Sequence, residues 1–306
     1  MSETGLRYLF EALNAGSMRA ASDRLNVAAS SISRQIAQLE ESYGLALIEK
    51  GRRGVRLTHA GEIVIAHYRN QVADREALRA KLEELRSVKS GHAVLAVGEG
   101  FLGSGFTDMI ASFTAANPQI HLDLSVNSSQ QIVRQVLDDE AHLGLVFQTP
   151  HDIKIHVRSV IAQPLMAIVA AGHPLAGQTS VSLADLARHP LCLSPRHFGL
   201  RQILAGAELR HNTYLEPVIT TNSIHMMRET VRRGAAVTIP PQLSVWSELE
   251  SGELTSIAIA DDAMEDATIS LILRAGRQLE GAPARLLKMV EAQLRQWNRP
   301  LRVAEV

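Results

Sequence analysis

Arg34 and Gln35 are strong side-chain hydrogen-bonding groups set among three short hydroxyls, Ser30, Ser31 and Ser33. That set suits base-pair edges and phosphate oxygens. An arginine can bond guanine through two parallel N–H groups, and serines donate to phosphates or bases. A second basic group, Lys50, Arg52 and Arg53, stands in a turn beside Gly51 and Gly54. Phosphate or minor-groove contact is the natural chemistry of such a turn, and it adds affinity and salt dependence but little sequence choice. Five polar loops come later: Gly98-Glu99-Gly100-Phe101, Asn127-Ser128-Ser129, Phe147-Gln148-Thr149, Ser194-Pro195-Arg196 and Thr221-Asn222-Ser223. Each follows an extended apolar run, the position of ligand-binding loops in α/β proteins. Catalytic candidates are sparse. Cys192 lies in the apolar run Leu191-Cys192-Leu193 and reads as core. The histidines, His142, His151 and His156 among them, show no metal-ligand spacing, so no catalytic residue, metal or cofactor is expected.

These groups need a scaffold, and 306 residues allow two or three domains. With 46 % hydrophobic and 21 % charged residues, the chain is ordinary for a globular protein. No apolar run approaches the ~18–20 residues of a membrane span, and the longest, 165–171, reads as a buried strand. The start of the chain lacks a basic region followed by an apolar core, and a single cysteine excludes an internal disulfide, so a cytoplasmic protein without membrane contact is expected. Residues 1–90 hold 14 Lys/Arg against 11 Asp/Glu, whereas residues 91–306 hold 17 against 21. A mildly basic head on an acidic body hints at a polyanion partner for the head.

Leu6, Leu9, Phe10 and Leu13 recur at helical spacing, and Gly16 ends that helix. Ser17 caps a second helix over 18–25, and a third runs from about 28 to 43 until Gly44 stops it. Short extended runs at 47–50 and 55–57 flank Gly51-Arg52-Arg53-Gly54, which suggests a hairpin. Helix, turn, helix and basic hairpin together describe a winged helix-turn-helix. Residues 58–89 read as one long helix capped by Thr58, with Ile65, Tyr68, Val72, Leu78, Leu82 and Leu85 as an apolar stripe. That stripe must be covered, most simply by a second copy of the helix, or else by the body of the same chain. From residue 93 strands and helices alternate, predicting a parallel sheet with helices on both faces. The rhythm restarts at 165, so the body divides into two lobes, about 91–160 with 267–306 and about 161–266.

The order of parts resembles the LysR family of transcriptional regulators. The matching residues are Gly16-Ser17, Ala21-Ser22-Asp23-Arg24-Leu25-Asn26-Val27, Ile32-Ser33-Arg34-Gln35-Ile36, Leu39-Glu40, Gly44, Arg53-Gly54-Val55-Arg56-Leu57-Thr58 and Ala60-Gly61-Glu62. In the body they are Asn117-Pro118, Gly172-His173-Pro174-Leu175-Ala176 and Gly234 with Thr238-Ile239-Pro240. The resemblance spans essentially the whole chain. It implies an α/β protein with an all-α head. The parts would be a winged helix-turn-helix DNA-binding domain (1–60), a linker and dimerisation helix (61–90), and a two-lobed effector domain like a periplasmic binding protein (91–306). It further implies promoter DNA with dyad symmetry, a small-molecule effector and a second or further copies of the chain (dimer or tetramer) as partners, with RNA polymerase as another candidate.

On this reading Ser17, Ser30, Ser31, Ser33, Arg34, Gln35, Lys50, Arg52 and Arg53 contact DNA. Glu99, Gly100, Phe101, Ser128, Ser129, Phe147, Gln148, Thr149, Ser194, Arg196, Asn222 and Ser223 line the effector site. Two departures stand out. Where the family commonly has Ser-Gln-Pro at the start of the recognition helix, this chain has Ala28-Ala29-Ser30, which leaves Ser30 as a late cap. Glu99 falls where many relatives hold an effector carboxylate with Ser or Thr. It would repel an anion and favour a neutral-polar or cationic effector, unless it pairs with Arg196 or Arg201. Two other classes stay open. Gly98-x-Gly100-x-x-Gly103 matches a dinucleotide fingerprint, although no acid ends the second strand, where Val126-Asn127-Ser128 stands. A ligand-binding module without DNA activity is the other, on account of Ala28-Ala29-Ser30.

Overall fold

The computed structural model describes residues 3–49, 54–85, 90–148, 150–196 and 198–298. The chain divides into two units, Met1–Arg79 and Ala80–Val306.

In the first unit, α1 (Glu3–Asn14), α2 (Met18–Leu25) and α3 (Ala29–Tyr43) pack Leu6, Leu9, Ala21, Ile32, Ile36 and Leu39 into one core. Ser17 caps α2 as expected, its Oγ accepting the Ala20 N–H at 3.1 Å. The start of α3 departs from expectation. Ala28 is its N-cap and gives no side-chain bond, so Ser30 lies inside the helix and is not a late cap. Backbone bonds to the Ala28 carbonyl and burial of Ile32 start the helix instead. The wing base is also smaller than two strands. Among the described residues it is a single antiparallel bridge, Ile48 to Leu57. The Glu40 carboxylate takes the N–H groups of Leu47 (2.7 Å) and Ile48 (3.1 Å), tying the wing base to α3.

Thr58 opens α4 (His59–Leu85), its Oγ1 accepting the Gly61 N–H. Gly61 has no room for a side chain, since a Cβ there would lie 2.1 Å from the Leu47 carbonyl oxygen. The apolar stripe of α4 splits in two. Ile65, Tyr68 and Val72 join the head core rather than the body or a second copy, whereas Leu78 and Leu82 stay 59 % and 53 % exposed.

The second unit holds two sheets. The first has the order β2-β1-β3-β11-β4, from β1 (Gly91–Val97), β2 (Ile120–Val126), β3 (Leu143–Phe147), β4 (Ile155–Ala162) and β11 (Thr268–Arg274). On one face α5 (Ser104–Ala116) and α11 (Gly281–Trp297) bury Phe106, Phe113, Leu286 and Val290 against Leu95, Leu145 and Leu271. On the other, α6 (Ser129–Leu137) buries Ile132 and Val136 against Ala96 and Val146. The second sheet has the order β6-β10-β5-β9-β7-β8, from β5 (Met166–Ala170), β6 (Ser180–Val181), β7 (Leu191–Leu193), β8 (Ile219–Thr220), β9 (Val237–Thr238) and β10 (Leu254–Ile259). Its helices are α7 (Leu183–Leu186), α8 (Gly199–Arg210), α9 (Ile224–Arg232) and α10 (Trp246–Glu250).

The expected all-parallel sheet is mixed. β1 runs parallel to β2 and β3, but β11 is antiparallel to both β3 and β4. β4 leaves for the second sheet and β11 returns from it, so the chain re-enters the first sheet without the helical crossover that enforces parallel direction. The two crossing segments are joined, Gln163 N donating to the Ala267 carbonyl at 2.7 Å, and the Gln163 Oε1 accepts the Leu243 N–H at 3.3 Å.

Candidate DNA interface and effector cleft

Burial of Ile32, Ile36 and Leu39 fixes which side of α3 faces outward, and Ser30, Ser31, Ser33 and Arg34 are exposed on it. Gln35 is half-buried and donates through Nε2 to Gln38 Oε1 at 3.0 Å. Ser17 Oγ is engaged as an acceptor in its cap, yet its hydroxyl proton can still be donated to a phosphate. Val55 N donates to the Gly16 carbonyl at 3.1 Å, so the wing stem and the α1–α2 turn are held side by side. The first turn of α3 carries no acid and no side-chain cap, so its positive end is not compensated from within the helix. Lys50, Arg52 and Arg53 lie outside the described residues, as does Thr149.

In the body, the loops at the carboxyl ends of β1 and β3 face helix starts of the second sheet. Glu99 sits in a short turn, Glu99–Phe101, after β1. Its Oε1 accepts from the Ser223 hydroxyl at 3.1 Å and from the His225 N–H at 3.2 Å. Ser223 is also the N-cap of α9, accepting from Met226 N. A carboxylate of one lobe thus closes the positive end of a helix in the other. The alternative pairing of Glu99 with arginine is not formed. Arg201 is buried against Glu208 on its own helix, and Arg196 is exposed.

Ser128 caps α6 in a reciprocal box with Gln131, and the Ser129 hydroxyl points to the Phe147 carbonyl at 3.4 Å. Gln148 holds a left-handed φ of 64°, uncommon without glycine, and its Cγ lies 4.0 Å from where a Gly199 Cβ would stand at the start of α8. Ser194 is half-buried and Asn222 exposed. Phe101 is corrected from a ligand contact to core. It is buried and stacks on Phe147 with ring centroids 4.7 Å apart. Gly100 is buried as well, and a Cβ there would lie 2.7 Å from Pro241.

The glycine motif is explained by this packing. Gly100 lets Pro241 and Phe147 close in, and a Cβ on Gly103 would lie 2.9 Å from the Leu243 carbonyl oxygen. Asn127 at the end of β2 donates to Gln135, at the position where a dinucleotide site needs an acid. Cys192 is buried, and burial pushes its thiol up, away from nucleophile chemistry. Burial, aided by Arg277 and His92, pushes the His142 imidazole down to about 3, and its Nδ1 accepts the Val94 N–H.

Sequence reasoning missed three groups. The Glu40 anchor, the bonds of Gln163 to Leu243 and Ala267, and the His225 N–H on Glu99 are all made with backbone groups. No residue-type pattern signals such contacts.

A small helix-turn-helix head with a wing base, followed by a two-sheet body whose strand ends meet across a cleft, defines a ligand-responsive DNA-binding protein. The comparisons agree. Residues 4–62 match the family described as bacterial regulatory helix-turn-helix protein, lysR family, and residues 86–295 match the LysR substrate binding domain. The chain belongs to the LysR family of transcriptional regulators. It is 27 % identical over 273 residues to the uncharacterized HTH-type transcriptional regulator YnfL of Escherichia coli, covering 86 % of this chain and 88 % of that one. It is 25 % identical over 268 residues to the RuBisCO operon transcriptional regulator of Allochromatium vinosum, covering 86 % of each. Full-length OxyR from Pseudomonas aeruginosa shares the fold with a TM-score of 0.67 at 18 % identity, covering 96 % of this chain and 95 % of that one. Full-length CbnR in complex with its target DNA does so with a TM-score of 0.54 at 22 % identity, covering 96 % and 99 %. Among the described residues no helix is long and apolar enough to cross a membrane.

Proposed function

We propose that this regulator reads a promoter of dyad symmetry as a homo-oligomer and responds to an effector that is cationic or neutral-polar. The division of labour is DNA reading by 1–60, self-association through 61–90 and sensing by 91–306, acting by binding rather than catalysis, in the cytoplasm where the DNA is. Arg34, with Ser30, Ser31 and Ser33, would read bases, while Ser17 and the wing residues Lys50, Arg52 and Arg53 would hold phosphates. The exposed pair Leu78 and Leu82, one turn apart on α4, supports pairing with the same stripe of a second copy. Effector binding would shift the balance between open and closed lobes and so the spacing of the two heads on DNA.

One observation carries the effector class, the Glu99 carboxylate on the α9 N-terminus. That seat is already filled by a tethered anion, so a ligand carboxylate there meets repulsion. An amine or a hydrogen-bond donor meets an acceptor. Titrating the full chain with a panel of amines, neutral polyols and simple dicarboxylates, read by thermal shift, tests this. The dicarboxylates should give no shift on the natural chain and should gain at least tenfold in affinity in Glu99→Ser. A dicarboxylate that binds the natural chain more tightly than every amine and neutral compound would overturn the effector class.

A further inference from the structure

The amino ends of β1 and β2, at the opposite end of the first sheet from the cleft, bring two histidines and an aspartate together. In the parallel register His92 stands beside His121, and Asp123 follows two residues on, on the same face as His121. His92 Nε2 lies 2.7 Å from one oxygen of Asp123, and His121 Nε2 lies 3.1 Å from the other. The two rings stack with centroids 5.5 Å apart. The three donor atoms fall within 4.8 Å of one another, and all three side chains are exposed.

We propose that His92, His121 and Asp123 form a binding site for a borderline divalent transition ion such as zinc, nickel or cobalt. Metal–nitrogen and metal–oxygen bonds near 2.1 Å put neighbouring tetrahedral ligand atoms about 3.4 Å apart. The observed nitrogen–oxygen separations, 2.7 and 3.1 Å, are both shorter than that, so coordination needs the side chains to open apart by about 0.3 to 0.7 Å. The ladder between β1 and β2 fixes both histidine backbones before any ion arrives. Each imidazole presents the same nitrogen, Nε2, to the shared carboxylate, one to each oxygen. Two imidazoles and one carboxylate favour zinc, nickel or cobalt over magnesium or calcium, which prefer all-oxygen sets. Exposure supplies the entry path, and waters would complete the coordination. His142 stands edge-on to His92 at 6.2 Å but has its Nδ1 engaged by Val94 N, which makes it a neighbour of the site and not one of its ligands. The site is separate from the effector cleft, so its occupancy does not depend on the effector reading above.

The test uses the full chain, freed of metal by a chelator and titrated with zinc chloride by calorimetry, with magnesium chloride as the control. Cobalt absorption in the visible range reports coordination independently. The expected result is one zinc per chain whose affinity falls at least tenfold in His121→Ala and in Asp123→Asn, with no magnesium response. Asp123→Asn keeps size and hydrogen bonding, and circular dichroism checks that both variants stay folded. The chain has 12 histidines. Zinc binding that both variants leave unchanged therefore belongs elsewhere and overturns the proposal, as does the absence of any zinc-dependent heat.

Discussion

Arg34→Ala is expected to lower affinity for the operator about 10- to 100-fold per half-site while leaving affinity for random DNA within a few-fold. A bidentate arginine contact is worth ~1–3 kcal/mol of discrimination, and tenfold corresponds to about 1.4 kcal/mol. The side chain is exposed on α3, opposite the buried Ile32, Ile36 and Leu39, and α3 is fixed to the wing base through Glu40. Removing Arg34 takes away a contact without touching the core. Fluorescence anisotropy on operator and scrambled duplexes at one salt concentration reads both affinities. An equal fall on the two would mean that Arg34 only clamps a phosphate. The wing arginines Arg52 and Arg53 should behave in that second way.

The largest effect on stability is expected from Arg201→Met. Arg201 and Glu208 stand one above the other on α8, are almost fully buried, and bond through both guanidinium nitrogens at 2.8 and 3.1 Å. The Glu208 carboxylate also accepts the Leu215 N–H. Removing the arginine strands a buried carboxylate, which typically costs about 3–5 kcal/mol. Adding Glu208→Leu should recover most of that loss and leave the unpaired Leu215 N–H, about 1–3 kcal/mol. Both tryptophans, Trp246 and Trp297, lie in the body, so their fluorescence in a denaturant titration follows this unit and not the head. A single variant as stable as the natural chain would show that the pair contributes nothing net.

The elements of the head were legible because their signals are local. Ser17 marks the start of α2, and Asn26, with φ 52°, marks its end. Leu6, Leu9, Ile32 and Ile36 report the core by spacing alone. Among the described residues the wing flanks pair through one antiparallel bridge, Ile48 to Leu57, and the Glu40 carboxylate that holds the N–H groups of Leu47 and Ile48 is a contact seven and eight residues back in the chain that no local pattern marks. The direction of β11 was not legible, since alternation gives the order of elements but not the route of a chain that crosses between sheets.

In the cleft, the loops were found by their place after strands, yet the partner of Glu99 was not. Charge suggested Arg196 or Arg201, whereas the contact is a hydroxyl and a backbone N–H more than 120 residues away. Arg201 is instead taken by Glu208, seven residues on along the same helix, a spacing beyond the three- and four-residue neighbours that helix periodicity marks. His92, His121 and Asp123 become a cluster only once the register of β1 and β2 is known.

The central claim is that α3 and the wing read a specific, two-fold site on DNA. A nuclease footprint of the purified chain on the DNA just upstream of its own gene, at physiological salt with excess random DNA, tests it most directly. The account predicts a protected stretch with dyad symmetry that Arg34→Ala erases. Protection no greater than on random DNA would contradict it, and would mean that the helix beginning Ala28-Ala29-Ser30 does not read sequence.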